Sequence, residues 1–64
     1  MVVNGRQVTL HTEMTLSEFL VNEGFDLLKV AVEKNGGIVP KKDFADEMVS
    51  DADKLEIVNF VGGG

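Results

Sequence analysis

Cysteine is absent from this sequence of 64 residues, and histidine occurs once, as His11. Without cysteine no disulfide can form, and a single histidine does not supply the ligands of a typical zinc site. The same scarcity excludes a cysteine nucleophile and leaves no plausible Ser-His-Asp triad. A chain this short must therefore fold through its aliphatic residues and four phenylalanines. The absence of cysteine also fits a reducing compartment.

Basic residues are few as well. Six lysines and arginines stand against eleven aspartates and glutamates, which gives a formal net charge of -5. Nucleic acids and anionic membrane surfaces both call for a basic patch, so we expect neither as a partner. A protein partner would instead present a complementary basic surface. No apolar run approaches membrane-spanning length and the N-terminus lacks a secretory pattern, so we expect a cytoplasmic protein.

Metal and cofactor sites are not indicated either. Carboxylates are frequent between residues 43 and 53, but they fit no calcium-loop spacing, which favours a solvated acidic edge. Gly36 and Gly37 lack the pattern of a nucleotide-binding fingerprint and indicate a turn. We therefore predict no catalytic residues, no metal site and no cofactor bound by this chain.

The chain opens with a hairpin pattern. Asn4 and Gly5 favour a two-residue type I′ turn, because both of its central positions need a positive φ. After the turn, Val8 and Leu10 alternate with polar residues as in a half-buried strand. This pattern predicts a second strand that carries His11 on its exposed side.

A helix is predicted next, in the stretch "MTLSEFLVNEG". Thr15 with Glu18 three residues later is a capping box, and Met14 before the cap suits a hydrophobic staple with Phe19. Gly24 is a typical left-handed stop. The apolar face of this helix consists of Leu16, Phe19 and Leu20.

Two-residue periodicity returns in the second half of the chain. Leu28, Val30 and Val32 are predicted to share one face of a strand, which a turn at residues 35–37 connects to a short return strand. Pro40 ends that return strand.

The remaining sequence completes the fold. "KKDFADEMV" is compatible with a helical turn or a loop, with Phe44 and Met48 directed inward, and residues 54–61 read as the last strand. Two strands, one helix and two or three further strands describe an α+β fold of the β-grasp type. We predict a single domain over residues 1–64, in which one main helix packs on one face of a mixed four- to five-stranded sheet.

The last strand divides its side chains between two faces. Leu55 and Ile57 share one face, and Val58 and Phe60 lie on the other. If the helix covers the first pair, the second pair faces water, and exposed apolar side chains close together often mark a contact surface. The alternative is a twist or bulge that leaves Phe60 partly buried against the first hairpin.

Three glycines, Gly62, Gly63 and Gly64, follow this strand. They extend roughly 10 Å at most and carry no Cβ, so they form a thin, flexible segment that suits threading a narrow channel. A terminal carboxylate delivered in this way is a nucleophile towards the α-phosphate of ATP. A glycine tail alone is also a common cloning remnant or frayed end, but the preceding strand and the β-grasp order favour the functional interpretation.

The whole chain resembles ThiS, the family of ubiquitin-like sulfur carriers of thiamine biosynthesis. The resemblance rests on "VNGR" and "TLSEFL" near the start, and on "VPKKDF", the acidic turn and "EIVNFVGGG" in the second half. Two departures are visible. Ala52 stands where the family commonly has a glycine, and a tryptophan often found near Phe44 is missing. Both departures concern packing or turn geometry more than chemistry.

The resemblance implies a carrier that serves as a co-substrate and is not itself an enzyme. A ubiquitin-activating-type adenylyltransferase (ThiF-like) would adenylate Gly64 with ATP and magnesium, and sulfur from cysteine, supplied through a desulfurase, would convert it to a thiocarboxylate. Thiazole synthase (ThiG-like) would then accept the sulfur. Gly63 matches the paired glycine beside the terminus and Gly62 precedes both, while Val58 and Phe60 are the expected docking residues.

Three other functions remain compatible with the sequence. The small subunit of molybdopterin synthase shares the fold, tail and thiocarboxylate chemistry but usually has a longer chain. A ubiquitin-like modifier would use the same tail with an amine acceptor. A plain interaction module would bind a partner through its sheet face and carry an incidental tail.

Overall fold

The computed structural model describes residues 1–60; residues 61–64 lie outside the described part. The strands are β1 (Val2–Val3), β2 (Arg6–Gln7), β3 (Met14–Thr15), β4 (Val30–Lys34), β5 (Gly37–Val39), β6 (Met48–Val49) and β7 (Lys54–Asn59). The helix α1 (Leu16–Asn22) follows β3, and a 3-10 turn (Lys41–Asp43) follows β5.

Five of these strands form one mixed sheet in the order β2-β1-β7-β4-β5. β1 is parallel to β7, and the other neighbouring pairs are antiparallel. The sheet therefore places its last strand in the centre, between the first strand and β4. The predicted β-grasp fold is confirmed.

The first hairpin has the predicted turn but a shorter second strand. Asn4 and Gly5 both have positive φ, 52° and 81°, as a type I′ turn requires. The predicted strand through Val8 and Leu10 is wrong, because β2 ends at Gln7. The Val8 N–H donates to the Met1 carbonyl at 2.8 Å, and the Leu10 N–H donates to the Asp51 carboxylate at 2.9 Å. The first of these bonds pairs Val8 with Met1 and extends the hairpin by one residue. The bond to Asp51 holds the segment after Val8 as a loop, and His11 is exposed in a bend rather than on a strand.

The helix begins and ends as predicted. Thr15 is the N-cap, and its hydroxyl accepts from the Glu18 N–H at 3.1 Å while the Glu18 carboxylate accepts from the Thr15 N–H at 3.0 Å. At the other end Gly24 has φ 86°. Its N–H donates to the Val21 carbonyl and the Phe25 N–H donates to the Leu20 carbonyl, which is a Schellman motif.

One apolar core lies between α1 and the sheet. Its buried members are Met1, Leu16, Phe19, Leu20, Val30, Val32, Val39, Phe44, Val49, Leu55 and Ile57. Met14 packs against this cluster, as expected of the staple residue before the helix. Among residues 1–60 the core lies on the helix side of the sheet, and the apolar side chains of Ile38 and Val58 on the opposite side are exposed.

Leu28, which was predicted to share a strand face with Val30 and Val32, and Met48, which was predicted to point inward, both lie outside the core. Leu28 is 82% exposed because β4 starts only at Val30, after an Asp26 turn in which the carboxylate accepts from the Leu28 N–H at 2.9 Å. Met48 is also exposed, whereas Phe44 is buried as predicted. Met48 belongs to β6, which pairs with β3 in a separate two-stranded sheet and directs the alternate residue, Val49, inward.

Candidate functional site

The central strand β7 presents two different faces. Leu55 and Ile57 are buried under the helix, while Val58 is 60% exposed on the opposite side and Phe60, just beyond the strand, is 50% exposed. This is the division that the alternation of the last strand predicts. The strand that leads towards the terminal glycines thus carries apolar side chains on the open side of the sheet.

The register of the sheet sets the neighbours of Val58. Ala31 lies directly across from it on β4, and in the next row Glu33 lies between Glu56 on β7 and Ile38 on β5. These five side chains line a groove of about 350 Å³. We call this set of five residues, Ala31, Glu33, Ile38, Glu56 and Val58, the open face.

Phe60 is held at one end of the open face. Its N–H donates to the Lys29 carbonyl at 2.7 Å, which continues the β4–β7 pairing by one residue. The Lys41 Nζ lies 5.3 Å from the centroid of the Phe60 ring and donates to the carbonyls of Leu28 and Val30 at 3.2 and 3.0 Å. The ring is therefore partly covered by a cation–π contact with Lys41. Lys41 follows β5, so this contact comes from the side of the sheet opposite the first hairpin.

Asn4 anchors the other edge of β7. Its Nδ2 donates to the Ile57 carbonyl at 3.1 Å, and its Oδ1 accepts from the Ile57 N–H at 2.6 Å. The Asn4 N–H also donates to the Leu55 carbonyl at 2.9 Å. Because β1 ends at Val3, this amide side chain takes the place of a further residue of that strand. The sequence identifies Asn4 only as a turn former, because nothing local links it to a residue 53 positions away.

A polar network fixes the start of β7. The Lys34 Nζ lies 2.7 Å from the Glu47 carboxylate and 3.9 Å from the Asp53 carboxylate, and it donates to the Met48 carbonyl at 2.8 Å. The bond to Glu47 is the main reason why the pKa of Lys34 is raised. Nothing in the sequence around Lys34 indicates this role, because its partners lie 13 to 19 positions away.

Asp53 links the same network to the turn that precedes β7. Its carboxylate accepts from the Asn35 Nδ2 at 2.9 Å and from the Ser50 N–H at 2.8 Å. Burial by itself would raise the pKa of Asp53, but these bonds and the charge of Lys34 outweigh it, so the pKa is lowered. The acidic turn is thus a structural cap for the last strand.

The predicted threading and attachment residues, Gly62, Gly63 and Gly64, lie outside the described residues. Their roles stay predictions. Within residues 1–60, no group of three histidine, aspartate or glutamate side chains is placed to hold a metal ion. No helix in that range is long and apolar enough to cross a bilayer.

Comparison with known proteins gives three informative matches. A thiazole synthase of Paramagnetospirillum magneticum is 48% identical over 64 residues, which is 100% of this chain and 20% of that protein. The chain thus spans about a fifth of the length of this relative. The sulfur carrier protein ThiS of Bacillus subtilis is 33% identical over 97% of this chain and 96% of its own length.

The third match is structural. The crystal structure of the thiamine biosynthesis protein ThiS from Geobacter metallireducens has a TM-score of 0.79 and 30% sequence identity, covering 98% of this chain and 96% of that one. The family model described as "ThiS family" matches residues 1–64. Since the family model covers the whole length and the fold is shared with a ThiS structure, the chain belongs to the ThiS family.

Proposed function

We propose that this chain is the sulfur carrier of thiazole formation in thiamine biosynthesis. The observation that carries the proposal is the match of all residues, 1–64, to the ThiS family. The carrier has no catalytic role of its own and acts as a co-substrate of partner enzymes. The similarity to a sulfur carrier of nearly the same length supports this role.

The chemistry takes place on the Gly64 carboxylate. One carboxylate oxygen attacks the α-phosphorus of ATP in an adenylyltransferase of the ubiquitin-activating type, and magnesium pyrophosphate leaves. The outer sulfur of a persulfide, which the desulfurase forms from cysteine, then attacks the acyl carbon and displaces AMP. A second thiol, such as that of free cysteine, cleaves the S–S bond of this acyl persulfide and leaves as part of a disulfide. The resulting terminal thiocarboxylate donates its sulfur to thiazole synthase. ATP and magnesium belong to the activating partner and not to this chain.

The architecture of β7 supports delivery of the terminus. Asn4 bonds this strand to the first hairpin and Lys41 contacts the ring of Phe60, so the chain is held by its neighbours from Ile57 to Phe60. The glycines Gly62 and Gly63 lack a Cβ, which lets a narrow channel close around them. A fixed strand followed by a thin segment suits insertion of the carboxylate into another protein's active site.

The proposed acceptor is supported by the relative from Paramagnetospirillum. In that protein, named a thiazole synthase, a stretch similar to this entire chain makes up 20% of the length. A carrier region within the synthase polypeptide would keep the sulfur donor close to its acceptor. Val58 and Phe60 are our predicted docking residues for the activating enzyme and the synthase, because they are exposed and shortly precede the terminal glycines in the sequence.

Intact-mass measurement tests the proposed function. The protein is incubated with the adenylyltransferase of the same genome, ATP, magnesium, cysteine and a desulfurase, and we expect one oxygen to be exchanged for one sulfur at Gly64. Gly63→Val should lower the rate by about a hundredfold, because a branched side chain misplaces the carboxylate in the channel. Full-rate sulfur transfer in that variant would contradict threading, and an unchanged mass of the wild-type protein would contradict the function.

Gly37→Val is the matched control for this assay. A Cβ at Gly37 meets nothing nearer than the Lys34 carbonyl at 3.7 Å, and Gly37 begins an exposed strand that suits a β-branched residue. We expect this variant to form the thiocarboxylate at the wild-type rate. Addition of one residue after Gly64 should abolish the reaction, whereas a plain interaction module would keep its partner binding.

A further inference from the structure

Two glutamates lie directly opposite each other on the open face. Glu33 on β4 is paired in register with Glu56 on β7, and both side chains are exposed. Like charges placed directly across two antiparallel strands destabilise a sheet. The arrangement is therefore unfavourable for the isolated protein.

The described cations do not neutralise this pair. The ion pairs within residues 1–60 join the Met1 amine with Asp51, Lys34 with Glu47 and Asp53, and Lys42 with Asp43, so neither glutamate of the open face takes part. Lys54 lies two residues before Glu56 on the same strand and forms no ion pair with it in this part of the chain. Lys34 follows Glu33 directly, but its ammonium group is engaged by Glu47.

The glutamates border an exposed apolar surface. Ile38 lies beside Glu33 on β5 and is 77% exposed, and Val58 lies one row nearer the tail. The groove of about 350 Å³ runs between these two apolar side chains and the acidic pair. Two features that are unfavourable in water, an exposed large aliphatic side chain and an unneutralised acidic pair, therefore share one small surface.

We propose that Glu33, Glu56 and Ile38 form the specificity-determining part of the docking surface for the activating enzyme. The occupant is a protein surface that presents a basic side chain, best an arginine, between the two carboxylates and an apolar side chain in the groove against Ile38 and Val58. A guanidinium group suits this position because its fork of N–H donors serves two carboxylate acceptors at once. The proposal rests on the proposed function and names the chemistry by which the partner recognises the carrier.

Charge complementarity selects this occupant over the alternatives. A second copy of the chain placed face to face would bring four carboxylates together, and each copy carries a net charge of -5. A nucleic acid would add phosphate charges to the same acidic pair. A basic protein surface instead removes the repulsion between Glu33 and Glu56 when it binds, so the cost is relieved only in the complex.

The double variant Glu33→Gln with Glu56→Gln tests the proposal. We expect its Kd for the purified adenylyltransferase of the same genome, measured by calorimetry, to rise about tenfold, with a weaker dependence on salt. Its thermal unfolding midpoint should be equal to or above that of the wild-type protein, because the cross-strand repulsion is removed. If the two glutamates had only a structural role, the double variant would not lose affinity for the adenylyltransferase while its stability stayed the same.

Glu13→Gln with Glu23→Gln is the matched control. It changes the net charge by the same amount at two exposed positions outside the open face, and its Kd should stay within about twofold of the wild-type value. An equal loss of affinity in both double variants would overturn the proposal, because net charge alone would then explain binding. Self-association of the wild-type protein through the open face, seen by sedimentation, would overturn it as well.

Two further outcomes distinguish the proposed docking surface from the proposed sulfur-carrier function. If the wild-type chain forms a thiocarboxylate while the Glu33/Glu56 variant binds with unchanged affinity, the surface is wrong and the function stands. If the enzyme perturbs the amide resonances of the open face but no sulfur is transferred under any condition, the surface stands and the function is wrong.

Discussion

Asn4 has two structural roles, only one of which is apparent from its neighbours in the sequence. Its φ of 52° makes it a type I′ turn residue, and asparagine tolerates that conformation better than most residues. Its side chain also bonds both backbone groups of Ile57. The turn of the first hairpin therefore extends the pairing of the strand that leads to the tail.

Asn4→Gly separates these two roles. Glycine keeps the positive φ but removes both side-chain bonds, so we expect unfolding by urea to show a loss of about 1–2 kcal/mol. Amide exchange at Ile57 should also become faster. Equal stability of Asn4→Gly and the wild-type protein would show that the side-chain bonds are energetically neutral.

Among the helices and strands, the features that the sequence predicts correctly are those that depend on residues close together in the chain. The helix bounds follow from Thr15, Glu18 and Gly24, all within ten residues of each other, and the structure has the same cap and stop. The burial of Leu55 and Ile57 follows equally from simple alternation. The general position of the candidate surface was therefore predictable.

The features that sequence reasoning missed depend on distant partners. The hairpin pairing does not continue past Val8, because the Leu10 N–H bonds to the carboxylate of Asp51, 41 residues away. Strand β6 exists only because β3 lies beside it, so Met48 pointed outward against expectation. The opposition of Glu33 and Glu56 likewise needs the register of β4 and β7, which no short stretch specifies.

Gly24→Ala tests whether the helix stop depends on backbone conformation alone. A Cβ at Gly24 would meet nothing within 4 Å, but the φ of 86° is unfavourable for any residue with a Cβ. We expect a loss of about 1 kcal/mol in the free energy of unfolding. Gly37→Ala is the matched control, since Gly37 has no positive φ, and its stability should stay within about 0.5 kcal/mol of the wild-type value. A loss in Gly37→Ala as large as in Gly24→Ala would contradict the conformational explanation.

Four ionisable side chains have pKa values that hydrogen bonds shift in the folded protein. The pKa of Glu18 is lowered chiefly by the Thr15 N–H, and that of Asp51 chiefly by the Leu10 N–H and then by the Met1 amine. The pKa of Asp53 is lowered by its bonds despite burial, and that of Lys34 is raised chiefly by Glu47. These four groups join the helix cap, the first loop and the turn before β7. Their protonation therefore affects the helix cap, the loop after β2 and the turn before β7.

The signs of these shifts predict an acid-sensitive fold with a broad stable range. A carboxyl group whose pKa is lowered in the folded state stabilises the protein at pH values above its ordinary pKa, which is 3.8 for aspartate and 4.5 for glutamate. This stabilisation is lost as the pH falls through the lowered pKa of the folded state. Lys34 behaves in the opposite way, because its pKa is raised in the folded state. Its contribution to stability is complete below pH 10.5, its ordinary pKa, and is lost as the pH rises through the raised pKa. Thermal unfolding followed by circular dichroism should give a plateau between about pH 5 and pH 10 and a steep fall below about pH 4.

Asp53→Asn tests whether the Asp53 carboxylate contributes to the loss of stability at low pH. We expect this variant to be less stable than the wild-type protein at neutral pH, because Lys34 loses a neighbouring charge and the Ser50 N–H loses a charged acceptor. The difference between the two proteins should shrink as pH falls below the ordinary aspartate value, since protonation then neutralises the same carboxylate in the wild-type chain. Asp46→Asn, at an exposed position with no side-chain bond or ion pair among residues 1–60, should follow the wild-type curve closely. A constant difference between Asp53→Asn and the wild-type protein at every pH would mean that the asparagine disturbs packing and that the charge of Asp53 does not contribute.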